Sequence, residues 1–249
     1  MLIATTTECF KHLSFDEAVQ RISDLEYTSI EIAIKPDSQH LTPEKVVGDL
    51  DAAVFQCHNP NRLHVVAYSF QSSASGDDFF RQFDAVCRLA RLTRVVSVTV
   101  DSGELGMPFN EEVERLRKLV GIASAQGVQV GMRSQIGCLS EDPATVAVLC
   151  DNVEGLGLTL DPSHYVYGPQ GGRDIDELMK YVCHVQLRDS SREEMQVPVG
   201  QGEIDYGRLM TQLTLIGYSR VLSVHIMDLP SIDHVGELRK MRLLLESML

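Results

Sequence analysis

The chain has 249 residues, 44% of them apolar and 23% charged, and its 22 basic against 35 acidic residues give a formal charge of −13. A field of that sign repels nucleic acid and anionic lipid unless a basic patch overrides it, and the densest basic stretch, Arg81 to Arg94, has helical spacing interrupted by Asp84. No window approaches the ~18 uninterrupted apolar residues of a membrane helix. The six scattered cysteines contain no CxxC, which predicts reduced thiols in a cytoplasmic protein rather than a disulfide framework or a thiolate zinc site.

The first segment, MLIATTTECF, has no basic stretch ahead of an apolar run, so it predicts a strand over Leu2–Thr6 and not a signal peptide. Ser14-Phe15-Asp16-Glu17 is a capping box that opens a helix before a second strand, Ser29–Ile34. Thr42-Pro43 places proline at a first helical position, and strands follow at Leu63–Ser69 and Val95–Asp101. From Glu111 to Gln126, Val113, Leu116, Leu119, Val120 and Ala123 form one apolar stripe at helical period, as a helix packed on a sheet requires. Strand Val128–Arg133, a helix from Asp142-Pro143, and strands Leu156–Asp161, Cys183–Asp189 and Val221–Met227 come next. The last helix carries the stripe Val235, Leu238, Met241, Leu245 and Met248. Strands alternating with helices predict right-handed βαβ units and a parallel sheet. Eight such units in roughly 250 residues favour one domain over 1–249, an α/β fold closed as a (β/α)8 TIM barrel. An open doubly wound sheet would want a glycine-rich turn where Thr5-Thr6-Thr7-Glu8 stands.

Side chains alternate between the faces of a strand, so parity sorts them. One face is apolar throughout: Ile30 and Ile32; Val96, Val98 and Val100; Val128, Val130 and Met132; Leu158 and Leu160; Cys183, Val185 and Leu187; Leu222, Val224 and Ile226. These must meet the helices, which turns Glu31, Thr99, Asp101, Arg133, Thr159, Asp161, His184, Gln186, Arg188, Ser223 and His225 into the barrel. Buried polar groups need partners or a wet cavity. Arg133, Asp161, Gln186, Arg188 and His225 all sit late in their strands, at the end where such barrels hold their ligands. Gly171-Gly172 and Gly200-Gln201-Gly202 read as turns, with a phosphate cradle as the other option. His40, His58 and His234 read as surface groups, and His64, early in its strand, as hydrogen-bonded packing. The charged loop 190–196 has the composition of a lid.

Three segments then resemble one superfamily: 127–137 (GVQVGMRSQIG), 158–164 (LTLDPSH) and 184–189 (HVQLRD). Val197-Pro198 leading into Gly200-Gln201-Gly202-Glu203-Ile204-Asp205 is similar to its GxGxID loop, and Gly217-Tyr218 to its approach to strand 8. The resemblance, spanning nearly the whole chain, is to the xylose isomerase-like barrels, which include sugar-phosphate isomerases and epimerases and the AP endonuclease family 2 proteins. It implies carbohydrate chemistry on a small sugar, sugar phosphate or polyol, and a homodimer or larger assembly. It also implies one divalent cation held by carboxylates and a histidine ending strands 5 to 8. The matching positions here are Arg133, Asp161, Gln186 and His225, so only the aspartate is kept, together with His164 and Asp189.

A hard cation wants carboxylate oxygens, and arginine stays protonated at any relevant pH. The expectation is therefore a site without Mg, Mn or Zn; if an ion does bind, Asp161, His164 and His225 are its donors. As an isomerase or epimerase, the protein would use Arg133 in place of the cation, with Asp161, Glu31 or His225 as general base for proton transfer α to a carbonyl. His164, Gln186, Arg188 and Gln135 would bind the substrate. The alternative is an inactive barrel whose Arg133 and Arg188 clamp a sugar acid or phosphate. DNA repair on three zinc ions conflicts with Arg133, Gln186 and the net charge.

Overall fold

The computed structural model describes residues 1–58, 61–230 and 232–249. Its strands are β1 (Leu2–Thr6), β2 (Ser29–Ile34), β3 (His64–Phe70), β4 (Ser97–Val100), β5 (Gln129–Arg133), β6 (Leu156–Leu160), β7 (Val182–Leu187) and β8 (Val221–Val224). They pair in parallel in sequence order, and β8 closes on β1, giving the eight-stranded barrel that the alternating pattern predicts. Around it lie α1 (Phe15–Asp24), α2 (Pro43–Gly48), α3 (Leu50–His58), α4 (Gly76–Leu92), α5 (Phe109–Ala125), α6 (Pro143–Asn152), the single turn α7 (Ser163–Val166), α8 (Tyr206–Leu215) and α9 (His234–Glu246). Among the described residues, no helix is long and apolar enough to cross a membrane.

The helices begin where their caps say they should. Ser14 Oγ accepts from Glu17 N while Glu17 Oε2 accepts from Ser14 N at 3.0 Å, closing the capping box. Thr42 and Asp142 cap α2 and α6 ahead of their prolines. The apolar strand faces (Ile30, Val98, Met132, Leu158, Val185, Leu222 and their neighbours) are fully buried in the core shared with the helix ring. Each such burial contributes about 1.5–3 kcal/mol. The stripe of α5 is buried throughout, whereas that of α9 is buried at Leu238, Met241 and Leu245 and exposed at Val235 and Met248, its two ends.

Four expectations change. Strands β4 and β8 are shorter than predicted. Val95 N still bonds back to Ala90 O beside a positive φ at Arg94, and Val96 is 55% exposed, so β4 starts only at Ser97. Cys183 belongs to the inner face: the register between β6 and β7 shifts at Leu158/Thr159, and the thiol fills the space that Gly131 and Gly157 leave. A Cβ at those glycines would lie 3.0 and 2.5 Å from Cys183 Sγ. His40 and His234 are buried rather than superficial, each with Nε2 3.0 Å from a main-chain oxygen, of Leu13 and Ile226, and each ring packed on a phenylalanine. His64, conversely, is exposed.

Candidate active site

The barrel interior is polar in layers. Glu31 is fully buried, and its carboxylate accepts from Ser69 Oγ at 2.8 Å, Gln186 Nε2 at 2.7 Å and His184 Nε2 at 2.9 Å. Burial alone would raise its pKa, but the His184 imidazole and these hydrogen bonds hold it well below the usual carboxylate range. With both oxygens engaged and no access to solvent, Glu31 is a poor fit to the general-base role it was considered for. Gln186, grouped by sequence with the mouth, reaches down to this cluster instead, and its Oε1 is buried without a partner.

Above lies a ring built from the strand ends, and its charges alternate in strand order. Glu8 follows β1, Lys35 follows β2, Asp101 follows β4, Arg133 ends β5, Asp161 follows β6, and Arg188 and His225 follow β7 and β8. Glu8 pairs with Lys35 and lies 3.1 Å from His225 Nε2. Arg133 Nε is 3.4 Å from Asp101 Oδ1, and Arg188 Nη2 donates to Asp161 Oδ2 at 2.8 Å. The other Asp161 oxygen accepts from Ser163 N and Oγ. Burial works against the Asp161 charge, yet Arg188, His164 and Ser163 bring its pKa down to about 2. Glu8 is likewise held low by His225 and Lys35 against its burial.

The two histidines of the ring are pushed toward the neutral form. Burial, reinforced by Arg188 and Arg133, lowers His164 to about 4 despite Asp161. His164 Nδ1 accepts from Ile136 N at 3.1 Å, and Nε2 is 3.6 Å from Asp161 Oδ2, so it braces the loop after β5 against that after β6. His225 is lowered by burial, and further by Arg188 and Arg133, although the Glu8 carboxylate 3.1 Å from Nε2 opposes this. Four nitrogens of the ring remain buried without hydrogen-bond partners: Arg133 Nε and Nη2, Arg188 Nε and His225 Nδ1. Orphans of this kind call for an explanation, and a ligand supplies one. The side chains of Arg133, Arg188 and His225 stay 7%, 11% and 7% exposed, a narrow opening onto solvent. Gln135, two residues after Arg133, is half-buried.

A divalent cation does not fit the four positions that the superfamily resemblance assigns to it. Arg133 brings a fixed positive charge, Arg188 and Ser163 occupy both Asp161 oxygens, and Gln186 is turned toward Glu31. Among the described residues no group of three or more His, Cys, Asp or Glu is arranged to hold a metal ion.

The glycine-rich loops are turns. Asp189 accepts from Gly200 N at 2.7 Å and Gly202 N at 3.1 Å, so the amides that a phosphate would need are occupied by this carboxylate. A Cβ at Gly202 would sit 2.0 Å from Asp189 Oδ1. Gly171 N and Gly172 N bond the main-chain oxygens of Gly168 and Tyr165. The 190–196 loop is anchored at its end, where Gln196 bonds both the N and O of Met227.

Glu8 and Lys35 escaped the sequence reading. The available signal was a charged residue directly after β1 and after β2, at the carboxyl rim. Asp101 had been sorted to the inner face of β4 without being assigned a role.

The sequence matches the xylose isomerase-like TIM barrel description over residues 19–241. No curated protein matches the chain. Among solved structures, a D-tagatose 3-epimerase-like protein superposes with a TM-score of 0.78 at 16% identity, covering 100% of this chain and 98% of that one. The 3-keto-D-glucoside 4-epimerase of E. coli gives 0.76 at 13% identity, with 99% of each chain covered. The IOLI protein, solved with a bound zinc atom, gives 0.74 at 18% identity, covering 100% and 98%.

Proposed function

The chain belongs to the xylose isomerase-like TIM barrel family, and from that premise we propose that it moves a proton α to the carbonyl of a small sugar or sugar acid without the family's cation. One observation carries this reading: an imidazole with a free ring nitrogen, His225 Nδ1, which burial pushes toward its neutral form, shares its layer with unpartnered guanidinium N–H groups of Arg133 and Arg188. Glu8, beside Nε2, favours the tautomer with its proton there, which leaves the Nδ1 lone pair to take a proton from carbon. The imidazolium so formed is stabilised by the Glu8 carboxylate. The guanidiniums donate to the enediolate oxygen, which is the role of a preorganised positive charge. His225 then returns the proton to the neighbouring carbon, while the hydroxyl proton of the enediolate passes to the oxygen of the former carbonyl. One base suffices for isomerisation, whereas epimerisation needs a second on the opposite face of the carbon.

The test is deuterium exchange. Keto sugars and keto sugar acids are incubated with the protein in deuterium oxide, and the signal of the proton α to the carbonyl is followed by NMR. Exchange is expected for at least one compound, falling by about a hundredfold or more in Arg133→Ala and vanishing in His225→Asn. Exchange unaffected by either substitution would remove the mechanism. A second reading has its own support: Arg188 is already paired with Asp161, as in a site that only binds. Tight binding of a sugar acid with no exchange over long incubation would favour that inactive barrel.

A further inference from the structure

A cavity of about 420 Å³ opens at the rim between the ends of β3 and β4. Its lining includes Phe70 and Phe79, packed with ring centroids 5.6 Å apart, together with Gln71, Ser73, Asp101 and Glu104. Asp101 forms the boundary with the charged ring. Its Oδ2 accepts from Gln71 Nε2, while Oδ1, facing Arg133 Nε at 3.4 Å, is buried without a hydrogen-bond partner. Asp101 is common to the ring and the cavity lining, so a molecule with one end on Arg133 would have to pass it to reach the cavity.

The two sides of that boundary differ in sign. The ring offers unpartnered donors on cationic groups, which suit a carboxylate. The cavity presents carboxylates and neutral polar groups beside two aromatic rings. The guanidinium in its lining, Arg115, is already engaged by Glu112 at 2.7 Å and by the main-chain oxygen of Asp101 at 2.8 Å. An anion placed there would face Asp101 and Glu104 with no free cation among the described lining residues to offset them, whereas hydroxyls can donate to those oxygens and the C–H face of a sugar chain can lie on Phe79, which is backed by the buried Phe70.

We propose that this cavity is a subsite for the neutral, hydroxyl-bearing chain of a sugar acid whose carboxylate rests on Arg133 and Arg188. The site then selects a sugar acid of roughly six carbons, which a cavity of this size accommodates, over a short hydroxy acid and over a sugar phosphate. The proposal rests on the reading of the ring as the anion-binding part of the active site.

The experiment is calorimetric titration of the full chain with D-gluconate, D-glycerate, D-glucitol and gluconate phosphorylated on its terminal hydroxyl. Gluconate is expected to bind about tenfold or more tightly than glycerate and than its phosphorylated form, with glucitol weakest. Ser73→Trp, at an exposed position of the cavity, should bring gluconate to within about threefold of glycerate and leave glycerate unchanged. Glu104→Lys, an independent exposed substitution, should improve the phosphorylated acid above all. If glycerate binds as tightly as gluconate through Arg133, or if the phosphorylated acid binds more tightly in the wild-type protein, the subsite is refuted and the ring reading stands. If neither acid binds, or if binding survives Arg133→Met undiminished, the ring reading itself fails and takes the subsite with it.

Discussion

Two polar layers of this barrel, one around Glu31 and one around Arg133 and Arg188, are built from similar residues and differ in how completely their charged groups are paired. At the floor a single carboxylate collects three donors, and the atoms left over near it, Gln186 Oε1 and Ser223 Oγ, belong to neutral groups. In the ring three acids face three bases and a histidine, yet charged groups of both signs keep unpartnered atoms: Glu8 Oε2 and Asp101 Oδ1, and Arg133 Nε and Nη2 and Arg188 Nε, beside His225 Nδ1. A carboxylate whose oxygens are both engaged holds the barrel together; guanidiniums that keep unmade N–H groups await a partner. The contrast separates residues that matter to folding from residues that matter to a ligand, and it can be broken experimentally.

The largest effect belongs to the floor. Glu31→Ala leaves His184 and Gln186 buried without their acceptor and should destabilise the protein by about 3–5 kcal/mol. Denaturant titration reads this directly, and for a chain of this size it corresponds to a melting temperature lower by roughly ten degrees. A loss below about 1 kcal/mol would mean that the floor network is dispensable and the contrast misdrawn.

The next effect is on pH dependence and concerns the brace between the loops. His164 is held at about 4 in the folded chain against 6.5 for the free side chain. Between those values the unfolded chain binds a proton that the folded chain refuses, so stability rises with pH across the window and is lost as pH falls from about 6.5 to 4. The difference amounts to about 3 kcal/mol at most. Asp161, lowered from 3.8 to about 2, adds its own loss only at lower pH. His164→Asn should reduce the slope between 4 and 6.5, leaving the part owed to the buried His225 and His40, and should soften the acid limb by removing one of the charges that lower Asp161; an unchanged profile would assign the dependence to other groups.

A smaller effect is expected at the loop after β7. Gly202→Ala drives a methyl group into the Asp189 carboxylate, which must release at least one of the two glycine amides it binds. The expected loss is about 1–3 kcal/mol, as for a buried hydrogen bond left unmade, with faster proteolysis between 190 and 203. The ring should keep its structure, because the loop is also tied to Met227 through Gln196.

How much of this was legible in the sequence follows from what a single strand can say. The apolar side of each strand faces helices whatever its neighbours do, so the barrel, its strand count and the inward direction of Arg133, Asp161, Arg188 and His225 could be read from alternation alone. Depth could not. Glu31 and Gln186 lie on the inner face as expected, but which layer they share depends on the stagger between strands, and no one strand encodes that. Cys183 was sorted to the wrong face because a register shift between β6 and β7 cancels parity locally. Lys35, one residue past β2, shares the parity of Glu31 and was within reach of the same reasoning, whereas Glu8 sits in a 3-10 turn, where period-two reasoning stops. The functional positions hardest to read were therefore those on loops, held in place by contacts from other strands.

The smallest expected change in stability is also the sharpest test of the comparison. Arg133 is 7% exposed, its nearest acid is 3.4 Å away, and Nε and Nη2 make no hydrogen bond. A buried charge with unmade bonds stabilises little, and losing this one strands its partner only in part, because Asp101 is 25% exposed and keeps its hydrogen bond from Gln71. Arg133→Met should therefore change unfolding free energy by no more than about 1 kcal/mol in either direction, and any gain would place the arginine among residues kept at the expense of stability. The same substitution removes the fixed positive charge on which an anionic substrate and its enediolate depend, so binding and exchange should be lost while the fold persists. A variant that unfolds instead would move Arg133 to the side of Glu31, as one more strut of the barrel, and would leave His225 and Arg188 as the remaining ring groups free to meet a ligand.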